Sequence, residues 1–501
     1  AITRSGSNQF KSSAWYYFRN ENMAGRSPVP IQMPGSNDAP ARPRLPDLFN
    51  QTVGIWASGP VLKNKLFYFF LTEFQDEVQP QPFNFSIYRG NSSFGEINNL
   101  ADTLRKKYNY DPGSFLDIEN ELLAKRVLVK IDWNPNSRDK LTFQFRNNYA
   151  ERKSAQQQNS PDIIRFSNNQ FRLLSNNLAA SIEWKRYVRG HGSNRLLFTF
   201  NREITDREIT GQEFPSVRIQ DGSAAILFGS NASSHLNVFK ASSFSLLNVY
   251  RLQKNRHVIS AGVDLNLTQL KDILVLNYFG GYTFRSLDDF LNNQFATQYS
   301  RGISLVDKPV NDKTKAGAHF NVMRAGIFVN DEFRFNDFVK LTAGMRLDGQ
   351  AVPLKYTRDD FFNTIARPEI EKFYSLDGAV SGRALKAHWQ LSPRLGFEYR
   401  IPESKIVLRG GGGIFTGHVL NLWLSEIYFS NQYMIDMRPH TVRFSPDPYN
   451  QPGLQELGID PDLNKGNMVL LARNFKFPAV FRSTASIQKR THDNWQFSAE
   501  L

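Results

Sequence analysis

Arg409 followed by Gly410, Gly411, Gly412 and Gly413 is the closest approach in this sequence to a phosphate cradle. Glycine N–H groups can close around phosphate oxygens, and an arginine can neutralise them. No Gly-Lys-Ser/Thr follows, and no helix-start signal does either. The run therefore reads as a strand whose glycines admit another backbone or relieve a bend. Asp460, Asp462 and Asn464 have the spacing that opens an EF-hand calcium loop. Lys465 stands where that loop needs glycine, and Leu471 where it needs a bidentate glutamate. What remains is a candidate for loose calcium binding on a loop. The eight His show no metallohydrolase spacing, no Gly-x-Ser-x-Gly elbow occurs, and there is no Cys. Neither covalent catalysis nor a resident cofactor is expected.

Two further sets could bind without reacting. Tyr428, Phe429 and Tyr433 are candidate ligand platforms in a long loop, with ordinary loop packing as the competing reading. Basic residues recur at short connections: Lys63 and Lys65; Arg138 and Lys140; Lys185, Arg186, Arg189 and Arg195; Arg251, Lys254 and Arg256. Contact with lipid phosphates is one expectation for them, and simple solvation of turns the other.

The elements that must carry these residues are legible in the composition and its periodicity. The chain has 501 residues, 41% hydrophobic and 22% charged, with a net charge of +14. Mean hydropathy is −0.44, and no apolar run approaches the roughly 18 residues of a membrane helix. A membrane β-barrel remains open, because every second side chain of its strands faces a polar interior. Phe is abundant at 41, with 18 Tyr and 7 Trp. Absence of Cys fits passage through an oxidising compartment.

Period-two alternation is the dominant signal. Ile259, Ala261, Val263, Leu265 and Leu267 oppose Ser260, Gly262, Asp264, Asn266 and Thr268. Val339, Leu341, Ala343, Met345 and Leu347 oppose Lys340, Thr342, Gly344, Arg346 and Asp348. Leu141/Phe143/Phe145 and Leu395/Phe397/Tyr399 repeat the pattern. Several runs reach about ten residues, close to what a tilted strand needs to cross a bilayer. Trp15 to Phe18 and Phe67 to Phe70 supply aromatics suited to the headgroup level.

Short turns alternate with long polar loops. The turns run Pro60–Lys65, Asn134–Lys140, Arg189–Asn194, Gln253–Arg256, Asn336–Asp337, Pro402–Lys405 and Arg490–Asn494. That asymmetry predicts an all-β, antiparallel transmembrane barrel of about fifteen strands, with turns inside the cell envelope and loops outside. An odd number of antiparallel strands leaves two open edges, so further strands are expected to complete the wall. Both chain ends read as cut: Ala1-Ile2-Thr3-Arg4 follows no leader, and Trp495–Leu501 stops inside an alternating run.

Ile2-Thr3-Arg4-Ser5-Gly6-Ser7-Asn8-Gln9-Phe10, then Ser13-Ala14 and Phe18-Arg19-Asn20, resembles a recurrent stretch of TonB-dependent outer-membrane receptors, most closely the Oar-like subgroup. Gly59 to Phe69, Phe284 to Leu291, Phe328 to Glu332, Leu341 to Asp348, Ser392 to Phe397 and Val407 to Ile414 resemble that family in the same order. The resemblance implies that residues 1–9 end a plug domain and residues 10–501 are a partial barrel. The complete barrel would have roughly 22 strands around the plug. It also implies energised uptake of a nutrient (carbohydrate, peptide or siderophore) across the outer membrane of a Gram-negative bacterium. The implied partners are the TonB-ExbB-ExbD complex, the chain's own plug, outer-membrane lipid and lipopolysaccharide, and the nutrient, with no nucleic acid. A passive porin or adhesion barrel is the second expectation, and a soluble basic polysaccharide-binding β-protein the third.

Overall fold

The computed structural model describes residues 4–26, 30, 42, 44, 47–154, 158–188, 190, 192–304, 316–353, 358–383, 385–429, 432–437, 442–460, 468–491 and 495–501. Its strands in chain order begin with β1 (Lys11–Asn20), β2 (Phe49–Leu62), β3 (Leu66–Pro82), β4 (Asp117–Trp133), β5 (Asp139–Ser154), β6 (Ile163–Arg165) and β7 (Phe171–Val188). Next come β8 (Gly192–Ile209), β9 (Ser216–Asp221), β10 (Ala224–Phe228), β11 (Asn237–Lys254), β12 (His257–Leu274), β13 (Gly281–Phe284) and β14 (Gln298–Ser304). The last are β15 (Ala318–Arg334), β16 (Val339–Val352), β17 (Leu385–Ile401), β18 (Ile406–Thr416), β19 (Gln432–Met437), β20 (Ala479–Arg490) and β21 (Gln496–Glu500).

Among the described residues, fifteen strands form one antiparallel sheet with nearest neighbours in chain order, from β1 at one edge to β21 at the other. This wall matches the strand number read from the alternation. Its short connections are built on asparagine. Asn64 and Asn255 adopt positive φ, and the Asn136 and Asn336 side chains accept from backbone N–H groups two and three residues on. Asparagine tolerates the left-handed region and can mimic a backbone turn.

The register sorts the two faces. Ile131, Phe143, Ile182, Phe198, Leu246 and Leu265 are successive partners across β4, β5, β7, β8, β11 and β12. All six are exposed. The band continues through Val263, Ile327 and Leu347 to Leu395 and Phe481, each 70% exposed. A soluble sheet would cover such a row, whereas hydrocarbon requires it. Trp133, Tyr250 and Phe333 edge the band near the short turns, at the depth favoured by amphipathic rings. The two aromatic clusters split between faces. Tyr16 and Phe18 point out and are exposed, while Phe69 is buried and stacks on Trp56.

Five of the long loops fold together, an outcome the loop reading did not anticipate. Their strands make a six-stranded mixed sheet in the order β19-β14-β13-β9-β10-β6, with parallel pairing at β10/β6 and β13/β9. Helix α1 (Phe94–Tyr108), from the β3–β4 loop, starts with a Ser93–Glu96 capping box. It buries Ile97, Leu100, Ala101 and Leu104, a stripe at helical spacing. These side chains join Phe166, Phe228, Phe284, Phe290, Tyr282 and Tyr299 in one core. A short α2 (Leu287–Leu291), capped by Ser286, inserts Phe290.

Beside this outer body, His235 is buried and packs at a tilt against Phe279, with ring centroids 4.8 Å apart. Its Nδ1 accepts from Phe279 N–H at 3.1 Å, so Nε2 carries the proton towards Ser230 O at 3.2 Å. Burial pushes its pKa down to about 4. A neutral histidine in the fold that protonates freely when unfolded gives stability above about pH 6.5, lost progressively as pH falls towards 4. The effect is worth at most about 3 kcal/mol. Protease cleavage of the outer loops is therefore expected to rise between pH 6.5 and 4.5. His235→Asn, which keeps a donor and an acceptor but cannot protonate, should flatten that rise. An equal rise in the variant would refute the assignment.

Candidate functional site

The inner face of the wall carries the charges, and strand register decides which of them meet. Asp264 on β12, Gly326 on β15 and Asp348 on β16 are successive partners. Arg346, two residues before Asp348, donates to Asp348 through Nε at 2.7 Å and to Asp264 through Nη2 at 3.1 Å. It reaches across β15 because Gly326 has no side chain. A Cβ there would lie 2.3 Å from Arg346 Nη2. One guanidinium thus engages both carboxylates in a charge-assisted fork.

A second group lies one strand pair further on. Arg394 of β17 stacks on the Phe415 ring at 4.4 Å, and Arg482 of β20 approaches the same ring at 6.0 Å. Gly413 makes room, since a Cβ there would come within 2.8 Å of Arg394 Cγ. The Arg-Gly run is therefore part of β18, as its strand reading anticipates, and its glycines serve packing on both faces. Arg409 itself bonds Glu398 at 3.0 Å and Gln488 at 2.9 Å.

Between these groups is a cavity of about 300 Å³ lined by Arg324, Arg346, Arg394, His388, His418 and Phe477, among others. Helix α3 (Asn421–Phe429) bounds this end of the wall: Leu424 and Ile427 pack on Leu270, Phe320 and Val322, and Phe477 belongs to the same cluster. Arg324 Nε and His388 Nε2 are buried without a hydrogen-bond partner among the described residues. None of these lining residues is singled out by sequence alone. Alternation places Asp264, Arg346 and Arg394 on the polar face, and register together with the adjoining loop ends at His418 and Phe477 brings the lining together.

Nearer the short turns the same face holds more cations. Asp132 is shared by Lys130 and Lys140 at 3.9 and 3.5 Å. Glu183 takes Lys185 and Arg195 at 2.9 and 2.5 Å. Glu398 lies within 3.9 Å of Lys340, 2.9 Å of Arg400 and 3.0 Å of Arg409. Lys140, Lys185 and Arg195 were candidates for lipid phosphate; the structure turns them inward on carboxylates instead. Arg186 stays outside by Trp184, with its guanidinium 5.9 Å from the ring. Arg189 lies outside the described residues.

The remaining candidates fall elsewhere. Asp460 is exposed, whereas Asp462 and Asn464 lie outside the described residues. Among the described residues no cluster of metal-ligating side chains occurs. Tyr428 and Phe429 end α3, and Tyr433 lies in β19 opposite Ile303. Their side chains are outside the described set.

Residues 4–9 run along the inner face at its short-turn end. Arg4 lies over Trp56 at 5.0 Å, Lys130 Nζ donates to Ser5 at 2.8 Å, and Asn64 N–H donates to Asn8 at 2.8 Å. A Cβ on Gly6 would meet Tyr68 O at 2.5 Å, so only glycine passes so close to the wall.

Among solved structures, the outer membrane transporter YddB from Escherichia coli superposes with a TM-score of 0.56 at 8% identity, over 98% of this chain and 50% of that one. A mutant of the ferric enterobactin receptor PfeA from Pseudomonas aeruginosa gives a TM-score of 0.50 at 11% identity, over 100% and 53%. The chain thus spans about half the length of these structures, and the likeness is one of fold. No curated protein matches in sequence. The outer membrane beta barrel domain family matches residues 2–117 and 115–500. With its exposed apolar band and polar inner face, the chain belongs to that family and is a β-barrel protein of the Gram-negative outer membrane.

Proposed function

We propose that this chain is the barrel wall of a TonB-dependent import receptor of the Oar-like kind, binding a nutrient on its outer loops and inner face. Residues 4–9 carry the reading. They approach the wall from the inside, as the exit of a plug domain into its first strand would. The fifteen strands are then part of a larger cylinder, completed by further strands of the same protein that pair with the open edges of β1 and β21. Force from TonB-ExbB-ExbD on the plug opens the path, and no covalent step is involved. The firm core of the outer body suits a preformed binding surface better than a set of loose loops.

The experiment compares uptake with pore behaviour. Deleting the gene should abolish growth on a limiting nutrient, and disrupting tonB should produce the same loss. In planar bilayers the whole protein should stay closed. A steadily open pore that conducts without TonB overturns the receptor reading in favour of a passive porin.

A further inference from the structure

We propose that the cavity between Arg324, Arg394 and His388 is an anion subsite, which receives a carboxylate or phosphate group of the ligand. This rests on the import reading, since it names the chemistry of what that path would carry.

The charge balance at the site points to it. Asp264 and Asp348 are both engaged by the one guanidinium of Arg346. That leaves Arg324, Arg394 and Arg482 with no carboxylate within salt-bridge distance among the described residues. Among the described residues Arg394 and Arg482 meet the face of Phe415. Arg324 keeps Nε buried and unpartnered, and so does His388 at Nε2, both at the cavity wall. A buried guanidinium donor without an acceptor is costly in a fold unless something accepts from it, and His388 Nε2 can donate beside it when it carries the ring proton. A guanidinium fork matches the oxygens of a carboxylate or phosphate and adds charge to geometry.

Size and polarity narrow the class further. A cavity of about 300 Å³ is at the small end of ligand sites, so it takes one acidic head group and not an extended chain. A neutral sugar offers donors and acceptors in comparable number, whereas the charged side chains left without a carboxylate partner here are guanidinium groups, which only donate. The inner wall towards the short turns has the same sign of excess, with Asp132, Glu183 and Glu398 each shared by two or three cations. At the cavity itself the three arginines Arg324, Arg346 and Arg394 outnumber Asp264 and Asp348, and an excess of positive charge within low-dielectric walls attracts anions.

Calorimetric titration of the full-length protein in detergent, at fixed salt, tests this with three probes: inorganic phosphate, citrate and glucose. Saturable binding of phosphate or citrate, with none of glucose, is expected, and the acid that binds identifies the head group. Arg394→Gln and Arg324→Gln should each weaken it about tenfold or more, the usual loss for a charge-assisted hydrogen bond. Arg394→Lys should retain part of the affinity, because it keeps the charge and loses the fork. The heat-modifiable gel shift of the folded barrel establishes that each variant is intact. Absence of saturable binding, as when an acidic side chain of the protein itself fills the cavity, overturns the proposal. So does unchanged affinity in both glutamine variants. Acid binding in a protein that proves to be an open, TonB-independent pore would sink the import reading and leave the subsite standing.

Discussion

Replacing Phe290 with alanine should release the outer body from its folded state while leaving the wall in the membrane. Phe290 is 1% exposed, with ring centroids 5.2–5.3 Å from Phe228, Phe284 and Phe444. Truncating a buried Phe costs about 3–5 kcal/mol, from lost transfer energy and the cavity left behind. That is a large share of what a core of this size can supply. The wall does not share this core, because its stability comes from the strand ladder and the lipid-facing band. Protease added to intact cells should cut the variant's loops quickly and the parent's slowly. Both should keep the same heat-modifiable mobility. Loss of the folded wall in the variant would show that the two bodies do not fold separately.

Ile327→Arg is expected to prevent stable insertion. Ile327 lies near the middle of β15, 54% exposed, between Val263 and Leu347 on the outer face. An arginine near the bilayer midplane of a barrel costs roughly 2–4 kcal/mol, which shifts a folding equilibrium by about 30-fold or more. Thr342→Arg is the matched control. Thr342 faces inward between Glu332 and Gly396, where water and a carboxylate meet the charge. The amount of folded protein in outer-membrane fractions should fall sharply for the first variant and stay near the parent's for the second. Equal levels would mean that the alternating faces have been assigned the wrong way round.

The wall was legible in the sequence because one physical rule governs each of its strands. The run from Ile259 to Thr268 lies within β12, and that from Val339 to Asp348 within β16. Each alternates because its two faces meet different solvents. The outer body was not legible for the opposite reason. Ile163–Arg165 and Ala224–Phe228 are too short to show a period, and their parallel pairing joins distant segments. Phe284–Leu291 was visible as a family-like segment, but its role as a core insert depends on partners that other loops supply. The lumenal cavity fell between these cases. Alternation assigns Asp264, Arg346 and Arg394 to the polar side, yet nothing local says that Gly326 lets Arg346 cross a strand.

The outer body is finished by the last of its contributors to be synthesised. Gln451 Oε1 accepts from Tyr282, its backbone carbonyl accepts from Arg301, and β19 completes the sheet against β14. Biogenesis therefore has a built-in order. An intermediate in which β18 has paired but β19 and residues 442–460 have yet to dock would display Tyr282 and Tyr299 unsealed. Such a half-sealed cap would offer envelope proteases and chaperones a simple mark by which to tell a stalled barrel from a mature one.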